Sequence, residues 1–122
     1  MWPKVESFIN SLDKFSIVGD FGCGNGKNMS LRNDLTFVGS DISIELLKIA
    51  KNRLAINDYI LANVTNLPFS DNSLDACISI AVIHHLSKIE DRLQAIREML
   101  RVLRKNGRGL IFVWAFEQSR DF

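Results

Sequence analysis

Apolar and polar positions change rhythm several times along the chain, and each rhythm predicts an element. Val5, Phe8, Ile9 and Leu12 recur at the spacing of one helix face, and Pro3 stands where a first helical turn tolerates it, so a helix is predicted over residues 3–12. Residues 16–21 form a short apolar strand. It runs straight into Gly22-Cys23-Gly24-Asn25-Gly26, a stretch that neither a strand nor a helix interior accepts. A short helix over 27–32 and a turn at Asn33-Asp34 lead into a second strand at 36–41. Ser43 is a good N-cap for a helix through Arg53, with Glu45 in its first turn and Leu46, Leu47, Ile49, Ala50 and Leu54 as its apolar face.

Residues 58–62 read as a third strand. A polar loop holding Pro68 and the Asp71-Asn72-Ser73 turn separates it from a fourth at 74–81. Ile89, Leu93, Ile96, Leu100 and Leu103 then alternate at four and three residues. This predicts an amphipathic helix over 88–105, closed by Asn106-Gly107, whose apolar stripe belongs to the core. A fifth strand is predicted at 109–116. Strands alternating with helices, several of them almost continuously apolar, imply an α/β protein with a parallel sheet covered on both faces. Such sheets bind ligands beyond the carboxyl ends of their strands, where the glycine loop falls.

Composition narrows the class. In 122 residues, 47% are apolar and 15 basic residues face 14 acidic ones, for a net charge of +1. That suffices for one domain over residues 1–122 with its own core, and gives no global electrostatic footprint for nucleic acid. Cys23 and Cys77 stand far apart and form no C-x-x-C pair, so both read as small buried residues, and no metal site is expected. Lys4, Glu6, Asp13 and Lys14 interrupt any signal-peptide core, and the most apolar run is far too short for a membrane helix. A cytoplasmic or nuclear protein without membrane association is expected. The apolar run 110–116, close to the last residue, suggests that the fold extends further than this sequence does.

The candidate chemistry lies at the strand ends. Gly22, Gly24 and Gly26 give G-x-G-x-G, and Lys27 occupies the position of the third glycine in a dinucleotide fingerprint, which disfavours a nicotinamide oxidoreductase. Asp20, at the end of the first strand, wants a cationic partner, because an unpaired buried carboxylate is costly. Asp41 ends the second strand, where an adjacent strand offers an acceptor to ribose hydroxyls. Asn63, after the third strand, has an amide suited to an adenine edge. A ligand with an ammonium group, a ribose and no pyrophosphate fits this set, and S-adenosylmethionine is one.

The segment 18–27 with Gly39-Ser40-Asp41 resembles the cofactor motifs of class I S-adenosylmethionine-dependent methyltransferases. The runs 75–85 and 110–118 are similar to the eukaryotic tRNA methyltransferases that esterify the carboxylate of 5-carboxymethyluridine at the wobble position. The resemblance implies a doubly wound, Rossmann-like methyltransferase fold with a mostly parallel sheet in the order 3-2-1-4-5. It also implies that a helix before Trp2-Pro3 and two C-terminal strands beyond Glu117-Gln118, in a substrate-covering region, are absent from this stretch. By position it places Asp20, Gly22, Gly24, Asn25 and Gly26 at the methionine part of the cofactor, Asp41 with its neighbour Ile42 at the ribose, Asn63 and Val64 at adenine, and Ala81 beside the methionine. Asn63 replaces the aspartate usual in relatives, and its amide oxygen still accepts from an adenine amino group.

An acceptor carboxylate is already ionised at neutral pH, so no general base is required and the chemistry is alignment. His84 and His85, just past the fourth strand, are the candidate catalytic donors, with packing or loop capping as the competing role for either. Glu117 and Gln118 are candidate nucleotide contacts, while Trp114 reads as sheet packing. Arg97, Arg101, Arg104 and Arg108 read as a solvated helix face before they read as contacts to tRNA phosphates. The third strand, with Tyr59, Ile60 and Leu61, would be an apolar sheet edge. There the resemblance implies a small zinc-binding activator subunit as a second partner beside tRNA. A non-catalytic module of the same fold, binding cofactor or a partner without methyl transfer, is the alternative.

Overall fold

A computed structural model describes residues 3–55, 57–80 and 82–112, without the side chains of His84 and Phe112. Ala81, Trp114, Glu117 and Gln118, named above, lie outside the described residues, as does the end of the fifth strand. The elements are α1 (Pro3–Asn10), β1 (Ile17–Phe21), a 3₁₀ turn (Lys27–Ser30), β2 (Thr36–Asp41), α2 (Ile44–Arg53), β3 (Asp58–Leu61), β4 (Leu74–Ile80), a second 3₁₀ turn (Ile83–His85), α3 (Ile89–Val102) and β5 (Leu103–Phe112).

The described strands form one sheet in the order β3-β2-β1-β4-β5, and every neighbouring pair is parallel. This is the parallel sheet expected from the alternation of strands and helices, in the doubly wound order that the family resemblance implies. Because all strands run the same way, Phe21, Asp41, Leu61 and Ile80 end on one edge. Side chains alternate across the sheet. On β4, Ala76 and Ile78 join a core cluster with Val5 and Ile9 of α1, Val18, Phe37 and Leu47, whereas Cys77 joins another with Phe21, Leu67, Ala95, Met99 and Val102. Helices thus cover both faces, as a parallel sheet requires.

Local chemistry secures the ends. Ser43 caps α2, its hydroxyl oxygen accepting from Leu46 N at 3.3 Å, with Glu45 in the first turn and Lys51 and Arg53 in the last. The carbonyls of Ile9 and Leu12 accept from Arg32 Nη1 at 3.0 and 2.7 Å, while the rest of that guanidinium grips Asp34. At the start of the sheet, Asp75 accepts from Ile17 N at 2.7 Å and pairs with Arg104.

Two expectations about the last helix fail. It stops at Val102, not Lys105, because Leu103 is captured by Leu74 in the β4–β5 ladder; Asn72 N and Ser73 N donate to the carbonyls of Arg101 and Val102, at 2.9 and 2.8 Å. The Asn106-Gly107 turn signal is real chemistry in a different place. It lies within the irregular β5 stretch between Leu103 and Arg108, where Asn106 takes φ 67°. The stripe read as core is only partly so: Ile96 and Leu103 pack against the core, whereas Ile89, Leu93 and Leu100 are 66%, 47% and 67% exposed, and the buried face is Ala95, Glu98, Met99 and Val102. Small Ala95 brings the helix close to the sheet, and a buried glutamate sits in the middle of the face, which a count of apolar spacings does not anticipate. Among the described residues no helix is long and apolar enough to cross a membrane.

Candidate functional site

The carboxyl edge of the sheet holds a cavity of about 450 Å³, at the crevice beside β1. Its geometry starts with the glycine loop. Gly22, Gly24 and Gly26 take φ of 81°, 55° and 82°, in the left-handed region that glycine enters without a Cβ penalty. A Cβ on Gly22 would lie 2.2 Å from Val82 Cγ2, so the loop can press against the segment after β4 only with glycine there. Gly22 N and Cys23 N donate to Ser40 O at 2.7 and 2.9 Å, fastening the loop to the end of β2.

Two carboxylates behave differently on this edge. Asp41 is tied into the backbone: Oδ2 accepts from Gly24 N and Oδ1 from Ser43 N, both at 2.9 Å. Each oxygen keeps further acceptor capacity, enough for a vicinal pair of hydroxyls. Asp20 is 0% exposed, and neither of its oxygens has a hydrogen-bond partner. Burial, with the charge of Asp41 adding to it, pushes its carboxyl up to about 7. Asp41 has two backbone donors and Asp20 has none, so Asp20 is the carboxylate on this edge whose charge a cationic group would compensate most.

The structure brings Gly22, Gly24, Asp41, Ile42, Asn63, Val64 and His85 together as cavity lining, with Asp20 buried at the end of the neighbouring strand. Asn25 and Gly26 do not line it. Asn25 Oδ1 accepts from Lys27 N at 3.2 Å, and Gly26 packs against Ala50, where an added Cβ would lie 3.1 Å from that residue's own. Asn63 is exposed, but its Oδ1 already accepts from Thr65 N and Thr65 Oγ1, at 3.0 and 2.9 Å. The group it presents is therefore its amide NH₂, a donor, rather than the oxygen considered for an adenine amino group. His85 lies in the turn following β4, and the His84 backbone in the same turn.

Sequence reasoning missed other parts of the lining. Ser40, Leu46, Ala62, Ile80, Val82 and Leu86 all contribute. Leu46, expected on the packed face of α2, is 37% exposed and turns to the cavity from the first turn of the helix, where its N–H meets the Ser43 cap. Val82 and Leu86 carried no signal beyond flanking the histidines.

The four arginines of the basic run separate. Arg101 is drawn inward to Glu98 and Asp71, Arg104 pairs with Asp75, and Arg108 lies 5.0 Å over the Phe8 ring. The last two sit near the starting ends of β1 and β4, on the edge opposite the cavity. Cys23 and Cys77 are buried with thiols pushed up to about 12, chiefly by desolvation, and both are inert as nucleophiles. On the outer strand β3, Ile60 and Leu61 are 36% and 57% exposed, while Tyr59 donates its hydroxyl to Leu54 O at 2.8 Å.

Known proteins resemble this chain in sequence and in fold. The family described as "Methyltransferase domain" matches residues 19–111. A Xenopus tropicalis protein named tRNA (carboxymethyluridine(34)-5-O)-methyltransferase alkbh8 is 45% identical over 118 residues, 97% of this chain and 18% of that protein. A Schizosaccharomyces pombe tRNA (carboxymethyluridine(34)-5-O)-methyltransferase is 44% identical over 120 residues, 98% of this chain and 51% of that protein. The chain thus spans about half or less of the length of these relatives. Among solved structures, a complex between the Haloferax volcanii Trm112 methyltransferase activator and a putative methyltransferase aligns with a TM-score of 0.72 at 22% identity, over 80% of this chain and 44% of that one, a likeness of fold.

Proposed function

Because the chain belongs to the methyltransferase-domain family, we propose that it binds S-adenosylmethionine at the glycine-loop edge and transfers the methyl group to the carboxylate of 5-carboxymethyluridine at the tRNA wobble position. The observation that carries the reading is Asp20, a fully buried carboxylate with no partner beside a cavity of suitable size. A ligand ammonium would supply the missing charge. Asp41 would take the ribose hydroxyls, and Asn63 and Val64 the adenine, with Asn63 donating to a ring nitrogen. Gly22 and Gly24 would let the backbone approach the methionine part, with Ile42 and Ala81 completing the set that the family pattern assigns and Asn25 and Gly26 shaping the loop from outside the cavity.

When bound, the cofactor supplies an electrophilic sulfonium methyl. The chain's own task is then orientation and exclusion of water, since the acceptor carboxylate, with an ordinary pKa of about 4, needs no base. Both reacting charges are lost as the ester forms, so a tight cationic clamp on the acceptor oxygens would stabilise the ground state more than the transition state. His85, with His84 in the same turn, suits this better as a moderate donor. Support for the acceptor comes from the named relatives.

For partners, we assign tRNA and, on the exposed β3 edge at Tyr59, Ile60 and Leu61, a small zinc-binding activator. Among the described residues the edge is apolar and has no strand paired on its outer side, and the fold is shared with the partner of an archaeal activator. The test has two arms. Calorimetric titration should show binding of S-adenosylmethionine and none of NAD; uptake of NAD alone overturns the cofactor reading. Methyl transfer to tRNA bearing carboxymethyluridine, with and without the activator, tests the acceptor. Cofactor binding without transfer in either condition would mark the chain as a binding module.

A further inference from the structure

The loop that gives Asn63 and Val64 to the cavity is held from behind by α3. Gln94, Glu98 and Arg101 stand at i, i+4 and i+7, one face of that helix, and each reaches the backbone of the loop. Gln94 Nε2 donates to Thr65 O at 3.2 Å. Glu98 Oε1, on a residue only 7% exposed, accepts from Leu67 N at 2.8 Å. Arg101 donates from Nη2 to Leu67 O at 2.9 Å and from Nη1 to Phe69 O at 2.8 Å. The same guanidinium holds both Glu98 oxygens, at 2.7 and 3.0 Å, and Asp71 at 2.8 Å.

We propose that Gln94, Glu98 and Arg101 are positioning residues for the cofactor: they hold the loop after β3 at the height where Asn63 and Val64 meet the adenine end of the ligand. This rests on the cavity being the S-adenosylmethionine site. Within the loop, Thr65 N and Asn66 N are met locally by Asn63, while Thr65 O, Leu67 N, Leu67 O and Phe69 O are met by the helix side chains. The pairing is also electrostatically closed. Arg101 holds the Glu98 carboxyl below its usual range, so the acceptor for Leu67 N stays ionised at neutral pH. Leu67 and Val64 anchor the inner side of the loop in the cluster with Ala95, Met99 and Val102. Free to move, the loop would take part of the cavity wall with it, while the glycine loop and Asp20, on other elements, would stay.

Because these three residues would act on the cofactor only through the loop, their removal should weaken cofactor binding and loosen the loop together. S-adenosylmethionine is titrated by calorimetry into the full chain and into Glu98→Gln, Arg101→Gln and Gln94→Ala variants, with amide hydrogen exchange on the ligand-free proteins. Loss of charged hydrogen bonds in the first two should raise Kd about tenfold or more, and loss of one neutral bond in the third about threefold. Exchange should accelerate over residues 63–69 and not in β1 or β2. Gln94→Ala removes a single bond and retains the fold if the charged variants do not. A wild-type chain that takes up no S-adenosylmethionine refutes the reading of the cavity and this role with it. A wild type that binds, beside variants matching it within about twofold, refutes the clamp alone.

Discussion

Replacing Asp20 by asparagine removes a buried carboxylate that the fold holds at a cost. The carboxyl ionises near 3.8 in an open chain and near 7 in the folded protein, where burial and the neighbouring Asp41 oppose its charge. Between those values the folded state carries a proton that the unfolded chain has released. The contribution of Asp20 to stability is therefore greatest below about 3.8 and is lost as pH rises toward about 7, at about 1.4 kcal/mol per pH unit. The distance from 3.8 to about 7 comes to roughly 4 kcal/mol, an order-of-magnitude ceiling that water entry would reduce. Asparagine has nearly the same shape and no charge, so Asp20→Asn should resemble the protonated wild type at every pH. Urea unfolding of both proteins without ligand, from about pH 4 to 8, should show the variant gaining on the wild type as pH rises, and the difference levelling above about 7. The difference isolates Asp20 from every other titrating group. Cofactor affinity should move the opposite way, with the wild type weakening below about pH 7 by up to tenfold per unit as binding must expel the proton, and the variant weak throughout. A stability difference that does not change with pH, or a variant less stable than the wild type at high pH, would refute the reasoning.

Gly22→Ala should destabilise the protein by at least about 1–2 kcal/mol, because its φ of 81° is unfavourable for alanine and the new Cβ would overlap Val82; thermal unfolding and cofactor titration together check it. Arg32→Ala should cost about 1–3 kcal/mol in urea unfolding, since the partly buried carbonyls of Ile9 and Leu12 lose their donor and Asp34 its counter-charge. A Leu61→Lys change on the exposed edge should leave unfolding within about 0.5 kcal/mol and abolish co-purification with the activator, so undiminished co-purification would move the interface elsewhere.

Much of the fold was legible because its signals are local. The strand-to-glycine junction at residues 16–26, the Ser43 cap and the alternation of apolar strands with helices each depend on neighbours in sequence, and β2 falls where the pattern put it. The end of α3 was not legible, since it depends on Leu103 pairing with Leu74 and on Asn72 and Ser73 taking the last helix carbonyls, contacts across some 30 residues. Charge patterning misled for a similar reason. Arg101 and Arg104 look alike on a helical wheel, yet one is consumed by the loop after β3 and the other by Asp75.

The sequence by itself determined which residue types stand at the strand ends as candidates: a glycine loop after a strand, two acids, an amide after the third strand and two histidines after the fourth. Backbone conformational limits and the cost of a lone carboxylate are properties of residue types, so they can be read without coordinates. Tertiary structure decided how each group is used. Asp41 and Asp20 are equivalent in the sequence, but folding gives one two backbone donors and leaves the other with none. Asn63 is an acceptor or a donor to a ligand according to whether Thr65 has already claimed its oxygen. Hydrogen bonds and desolvation act over a few ångströms in space, and only the folded chain sets those distances.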